Sequence, residues 1–319
     1  MPDAAVHAAF GREVFSSLPA GVQGVIRPGP WTFGLFGPDL WFMYKPWRRR
    51  EGRGRRMHTT RPGAFLTALL ERAKEAPCRE ELFSWLAGFL CHYALDSVTH
   101  PYIIHMTTEK YDYPRCHMSF EHELDMRQIG RDGHAGEKHP VTAHYFPAVS
   151  LPPSMKDDVD AVFAQVYGWK GGWRAVNGSA KRYRLCYRFL ENPSGVAARL
   201  ARGTKHPLLR SVAMSESQFR GLDVENGEHR PWLHSHDKTL SYTDSFTELR
   251  ERARLLAADL IEACWRYLWR GEGTAEELAA LIGDNSYLSG LPADDPRNAN
   301  VKSLLPPDPG RKKGRGGSR

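Results

Sequence analysis

The stretch Gly88-Phe-Leu-Cys-His-Tyr-Ala-Leu-Asp-Ser-Val-Thr-His-Pro101 decides how the rest of the chain is read. Phe89, Leu90, Tyr93 and Leu95 predict a largely buried helix, the first of a pair within residues 84–125. On that helix His92 and Asp96 are four residues apart, so they stack on one face, one turn above the other. His100 follows after another turn, immediately ahead of Pro101, where a helix usually ends. A second pair of the same form, His117 and Glu121, lies in Cys-His-Met-Ser-Phe-Glu-His-Glu-Leu. Taken alone, either pair reads as a contact on a helix surface. The apolar neighbours change that, because a buried imidazole and a buried carboxylate need partners. One divalent cation satisfies several of them at once, and this donor set suits zinc and similar ions.

Working toward the N-terminus, residues 4–17 read as an amphipathic helix with Val6, Phe10, Val14 and Leu18 on one stripe. His7 lies beside that stripe, either as a ligand or as a partly exposed surface histidine, and Gly11 one turn later leaves open space next to its ring. Residues 20–62 are dense in Gly and Pro and predict turns rather than regular structure. They contain Phe36-Gly-Pro-Asp-Leu-Trp-Phe-Met-Tyr44. Asp39 there reads either as the cap of a short helix over Leu40 to Tyr44 or as a functional carboxylate. Trp41, Phe42 and Tyr44 beside it wall a substrate pocket or pack as core or lid. His58, in Arg56-Met-His-Thr-Thr60, precedes a helix near 64–74, where loop side chains commonly converge on a site.

Further helices are expected near 79–99, 117–129, 155–167, 180–190, 246–269 and 275–282, with no alternating strands and no repeat. The fold class is therefore all-α: a single multi-helix domain over residues 1–300 with long functional loops. Residues 301–319 form a basic, disordered tail carrying Arg311, Lys312, Lys313, Arg315 and Arg319. His234, His236 and Asp237 can chelate a metal, but Pro231-Trp-Leu ahead of them suggests a loop closing over the core.

The formal net charge is +7 over 319 residues, and six arginines crowd the stretch Arg48–Arg56. Such a cluster meets an anionic membrane surface or nucleic acid, or stays a solvated face. No apolar run reaches about 18 residues, which excludes a transmembrane helix. The N-terminus shows no basic region followed by an apolar one, so the expectation is a cytoplasmic protein. Five cysteines without Cys-x-x-Cys spacing agree with free thiols in a reducing compartment.

The order His7, Asp39 in Gly-Pro-Asp, His58 in Met-His-Thr, His92-x-x-x-Asp96, His100-Pro101 and His117-x-x-x-Glu121 resembles the bacterial zinc-dependent phospholipases C. That family shares its fold with the single-strand-specific zinc nucleases. The match is clear over residues 1–125 and faint afterwards, mainly in Leu249 to Trp269. The resemblance implies that His58, His92 and Asp96 hold one zinc and His100, His117 and Glu121 another. His7 and a shared Asp96 would help to hold a third, giving two or three ions. It casts Asp39 as general base over a metal-activated water, or as the group that positions that water. The implied reaction is hydrolysis of a phospholipid to diacylglycerol and a phosphorylated head group. A nuclease acting on single-stranded nucleic acid and a non-catalytic zinc-stabilised scaffold are the competing readings.

Overall fold

The helix that carries the central motif spans 31 residues, Arg79–Glu109, and is the axis of the molecule. The computed structural model describes residues 4–45, 52–109, 117–191, 219 and 222–301. In chain order its α-helices are α1 (Ala4–Ser17), α2 (Ala20–Gln23), α3 (Pro28–Leu35), α4 (Arg53–Thr59), α5 (Pro62–Glu75), α6 (Arg79–Glu109) and α7 (His117–Arg131). They continue with α8 (Lys156–Tyr167), α9 (Gly172–Leu190), α10 (Phe246–Arg270) and α11 (Ala275–Ile282). A 3-10 segment covers Gly37–Met43, and a single π-helical turn covers Val141–Tyr145. The only strands among the described residues are Trp232–Leu233 and Ser241–Tyr242, which pair antiparallel. The all-α reading holds. Among the described residues, no helix is long and apolar enough to cross a membrane.

α6 is buried on nearly all sides because α1, α3, α5, α7 and α10 pack around it. Such a helix needs no polar stripe, and the polar side chains it does bury must have a reason to be there. α3 and α6 cross backbone to backbone at Gly34 and Gly88. A Cβ on Gly88 would lie 2.3 Å from the Trp31 carbonyl oxygen, and one on Gly34 would lie 2.4 Å from that of Trp85. α10 begins with a reciprocal cap between Ser245 and Glu248, then lays Leu249, Ala253, Ala257, Leu260, Ile261 and Cys264 into the core.

Two expectations are corrected here. The Gly- and Pro-rich stretch 20–62 is not irregular. Its prolines open helices (Pro28 in α3, Pro62 in α5), where a missing N–H costs nothing, and Gly34 permits the close crossing. Nor does the central helix stop before Pro101. It runs on to Glu109, because burial of Tyr102, Ile103 and Ile104 outweighs the one hydrogen bond that Pro101 cannot make. The carbonyl freed by this, on Ser97, is met by the backbone of Gly290, where a Cβ would come within 2.5 Å of it. The basic tail from residue 302 and residues 48–51 of the arginine cluster lie outside the described residues.

Opposite outcomes are expected for two helical glycines. Gly88→Val should cost about 3 kcal/mol, because backbone faces backbone and nothing flexible can yield. Gly130→Ala, exposed in open space within α7, should add about 0.5–1 kcal/mol. Thermal or denaturant melts of the two variants check both signs.

Candidate metal centre

α6 presents His92, Asp96 and His100 on successive turns of one face, and all three are fully buried. His92 Nε2 lies 3.1 Å from Asp96 Oδ2, and His100 Nδ1 lies 3.6 Å from the same oxygen. α1 delivers His7, whose Nε2 is 3.4 Å from Asp96 Oδ1 and whose ring stacks on His92 at 4.0 Å. α4 delivers His58, with Nε2 3.2 Å from Asp39 Oδ1 and 3.9 Å from Asp96 Oδ2. α7 delivers His117 and Glu121, 2.8 Å apart, and Glu121 Oε1 also lies 3.1 Å from His100 Nε2. Every one of these eight side chains is buried.

Three ring orientations are set by main-chain carbonyls. Each of these oxygens only accepts, so the facing Nδ1 carries the proton and donates: His58 to Gly54 (2.7 Å), His92 to Leu35 (2.9 Å) and His100 to Tyr287 (3.0 Å). In the neutral form of each ring Nε2 is thereby the unprotonated nitrogen and is turned inward, the tautomer that a metal ligand needs. α1 is fixed in turn by Asp125 of α7, which accepts from the backbone N–H groups of Ala5 (2.9 Å) and Val6 (2.8 Å). Gly37 holds the loop before Asp39 against His92. Its φ is +42°, and a Cβ there would come within 2.7 Å of the imidazole.

The donors fit a cation better than they fit each other. Among the described residues, His7 Nε2, Asp39 Oδ1, His92 Nε2 and both oxygens of Asp96 are buried without a hydrogen-bond partner. They lie within reach of one another but are not aligned to donate and accept. Burying such atoms unpaired costs about 1–3 kcal/mol each, more for charged groups, which an ion between them removes. Three sets of donor atoms each lie within 4.8 Å: His7, His92 and Asp96; Asp39, His58 and His92; His100, His117 and Glu121. Nitrogen and carboxylate oxygen in sets of three match zinc.

The electrostatics agree. Burial opposes ionisation of Asp96, yet the charges of His100 and His92 overcome it and hold the carboxyl well below its usual range. Burial likewise opposes ionisation of Glu121, and the contacts of His117 and His100 are among the causes that together hold its carboxyl well below the usual range. Asp39 is lowered, with His92 and His58 outweighing its burial. Burial keeps His7 and His117 neutral by lowering their pKa values. For His92 and His100 burial is outweighed by the neighbouring carboxylates, Asp96 foremost, and their pKa values rise, so a cation taken up here displaces protons from those two rings.

The structure thus brings together all eight residues singled out as ligands or base, and it alters the local reading of several. His7 is buried rather than half-exposed, and the space over Gly11 is filled by Leu35. Asp39 caps nothing: it sits inside the first 3-10 turn, and its side chain makes no cap bond. His58 belongs to a short helix, not to a loop. Of the three aromatic residues beside Asp39, only Phe42 meets the site, its ring 5.2 Å from His58. Trp41 is core, packed on Phe163 and Trp169, and Tyr44 stacks under Arg53. Arg53 and Arg56 of the basic cluster lie on the rings of Trp41, Tyr44, Tyr167 and Trp169. Neither His234 nor His236 joins one of these donor sets. His234 Nε2 donates to Ser289 and its Nδ1 accepts two backbone N–H groups, while Asp237 pairs with Arg297. Tyr287, Asp125 and the carbonyls of Leu35 and Gly54 were not read from the sequence. Asp125 carried a signal, being one further turn along the Glu121 face of α7.

A family model described as zinc dependent phospholipase C matches residues 6–171, an interval that contains all eight of these side chains. No curated protein and no solved structure matches the chain. With more than half of its length covered by that model, the chain belongs to the zinc-dependent phospholipase C family.

Proposed function

We propose that this protein hydrolyses a phospholipid, breaking the phosphodiester on the glycerol side to release diacylglycerol and a phosphorylated head group. The observation that carries the reading is the convergence of His7, Asp39, His58, His92, Asp96, His100, His117 and Glu121 on one buried volume, in a chain of a zinc-dependent phospholipase C family. His58, His92 and Asp96 would hold one ion, and His100, His117 and Glu121 would hold a second. His7, sharing Asp96, would help to hold a third, for two or three zinc ions in all. When bound, zinc supplies Lewis acidity toward the phosphoryl oxygens and lowers the pKa of water toward neutrality.

The chain's own residues do the rest. Asp39, kept ionised by His92 and His58, accepts the proton of the attacking water at Oδ1, the atom 3.2 Å from His58 Nε2. The carbonyls of Leu35, Gly54 and Tyr287 keep the three rings from rotating as charge shifts during the reaction. Phe42, partly exposed beside His58, gives the substrate an apolar wall. Arg53 and Arg56 are already engaged with aromatic rings of this chain, so the nuclease reading gains no free basic track from them.

Asp39→Asn should lower kcat/KM on phosphatidylcholine vesicles by about 100-fold or more while zinc per chain stays constant. Full turnover by this variant would contradict the role given to Asp39. Chelation should abolish diacylglycerol release, and zinc should restore it. Under the same conditions, cleavage of single-stranded DNA at a comparable rate would overturn the lipid assignment.

A further inference from the structure

A second donor cluster lies outside the buried centre, at the far end of α7 and the turn that follows it. His134, Glu137 and His144 offer ligand atoms within 4.8 Å of one another. His134 Nδ1 lies 2.8 Å from Glu137 Oε1, and His144 Nε2 contacts Glu137 Oε2. The two imidazoles stack at 3.6 Å with planes 8° apart, so both turn a nitrogen toward the same carboxylate. The arrangement repeats, at the surface, that of His7 and His92 stacked over Asp96.

We propose that His134, Glu137 and His144 form a separate zinc site that clamps the segment 132–146 onto the end of α7. Two imidazoles and one carboxylate are the three-ligand set of an open zinc site, with water completing the sphere. Both nitrogens now aimed at Glu137 become ligands once each ring's proton moves to its other nitrogen. Uptake therefore needs no net loss of protons from neutral rings. Because the rings are stacked nearly parallel, they must tilt apart for their in-plane lone pairs to converge on the ion.

The backbone already fixes the donors, which lowers the ordering cost of binding. α7 ends in a pair of closing bonds, Gly133 N–H to Gly130 and His134 N–H to Ile129, with Gly133 at φ +82°. His134 is thus locked directly after the helix. The Glu137 N–H bonds to the His134 carbonyl, and His144 is held in the π-turn Val141–Tyr145. All three side chains are partly or largely exposed, so a cation from solution reaches them without unfolding.

The clamp leans on the elements that carry the buried centre. Tyr145, next to His144, donates to Asp132 at 2.7 Å, and Asp132 also accepts from Arg12 of α1 at 2.7 Å. α1 carries His7, and α7 carries His117 and Glu121. An ion at the surface site therefore stiffens the junction of these two helices without touching substrate.

The test compares wild type with Glu137→Gln and His144→Ala, each loaded with zinc at the buried centre, and titrates all three with Co2+. Wild type should take up one more cation per chain than either variant, with a visible d–d band that both variants lack. Zinc should slow amide exchange over 132–146 by about fivefold or more in wild type only, while lipid hydrolysis is equal in all three. Equal uptake by wild type and variants overturns the site. Unchanged exchange in loaded wild type overturns the clamp. Because the readout is a difference between chains with the same buried centre, it stands or falls independently of the catalytic reading.

Discussion

Asp96 is a carboxylate in the middle of the longest helix, with both oxygens buried and neither hydrogen-bonded. An isolated charge in such a place would protonate or unfold its surroundings. Here three imidazoles, from His7, His92 and His100, lie within 3.6 Å of it, and a fourth, His58, lies at 3.9 Å. The rest of the molecule can be understood as what keeps these rings pointing inward. That is a costly arrangement for a protein to maintain unless cations occupy it, and the family to which the chain belongs is a zinc-dependent one.

The packing of the core and the geometry of the site are the same problem. The contact of Gly34 with Gly88 brings α3 so close to α6 that the next carbonyl, Leu35, accepts a hydrogen bond from Nδ1–H of His92. Gly290 sits against Ser97 in the segment after α11, where Tyr287 bridges His58 and His100. Its N–H bonds to the His58 carbonyl, and its own carbonyl accepts from His100. Residue 287 lies outside the interval matched by the family model, yet it orients two residues inside that interval. A substitution far along the sequence can therefore loosen the centre without removing a ligand.

Much of this was legible in the sequence, and the reason is periodicity. His92-x-x-x-Asp96 and His117-x-x-x-Glu121 are local patterns, because a helix brings residues four apart onto one face wherever it sits. The apolar neighbours Phe89, Leu90 and Leu95 showed that this face was buried. What stayed hidden depends on contacts between distant elements. Nothing near His7 says that Asp125 will hold the start of its helix, and nothing near Pro101 says that Tyr102 and Ile103 will be buried deeply enough to carry the helix onward. The aromatic run after Asp39 was ambiguous for the same reason. Trp41 and Phe42 are neighbours in sequence, but a 3-10 turn sends one into the core and the other to His58.

The central claim is that these eight side chains enclose closely spaced zinc ions. Anomalous diffraction at the zinc absorption edge, from crystals of the Glu137→Gln protein, tests it most directly because that variant lacks the surface cluster's carboxylate. The account predicts two or three anomalous peaks in the space bounded by His7, His58, His92, Asp96, His100, His117 and Glu121. A structure with no peak there, or with the imidazoles turned outward and zinc bound elsewhere, would contradict it.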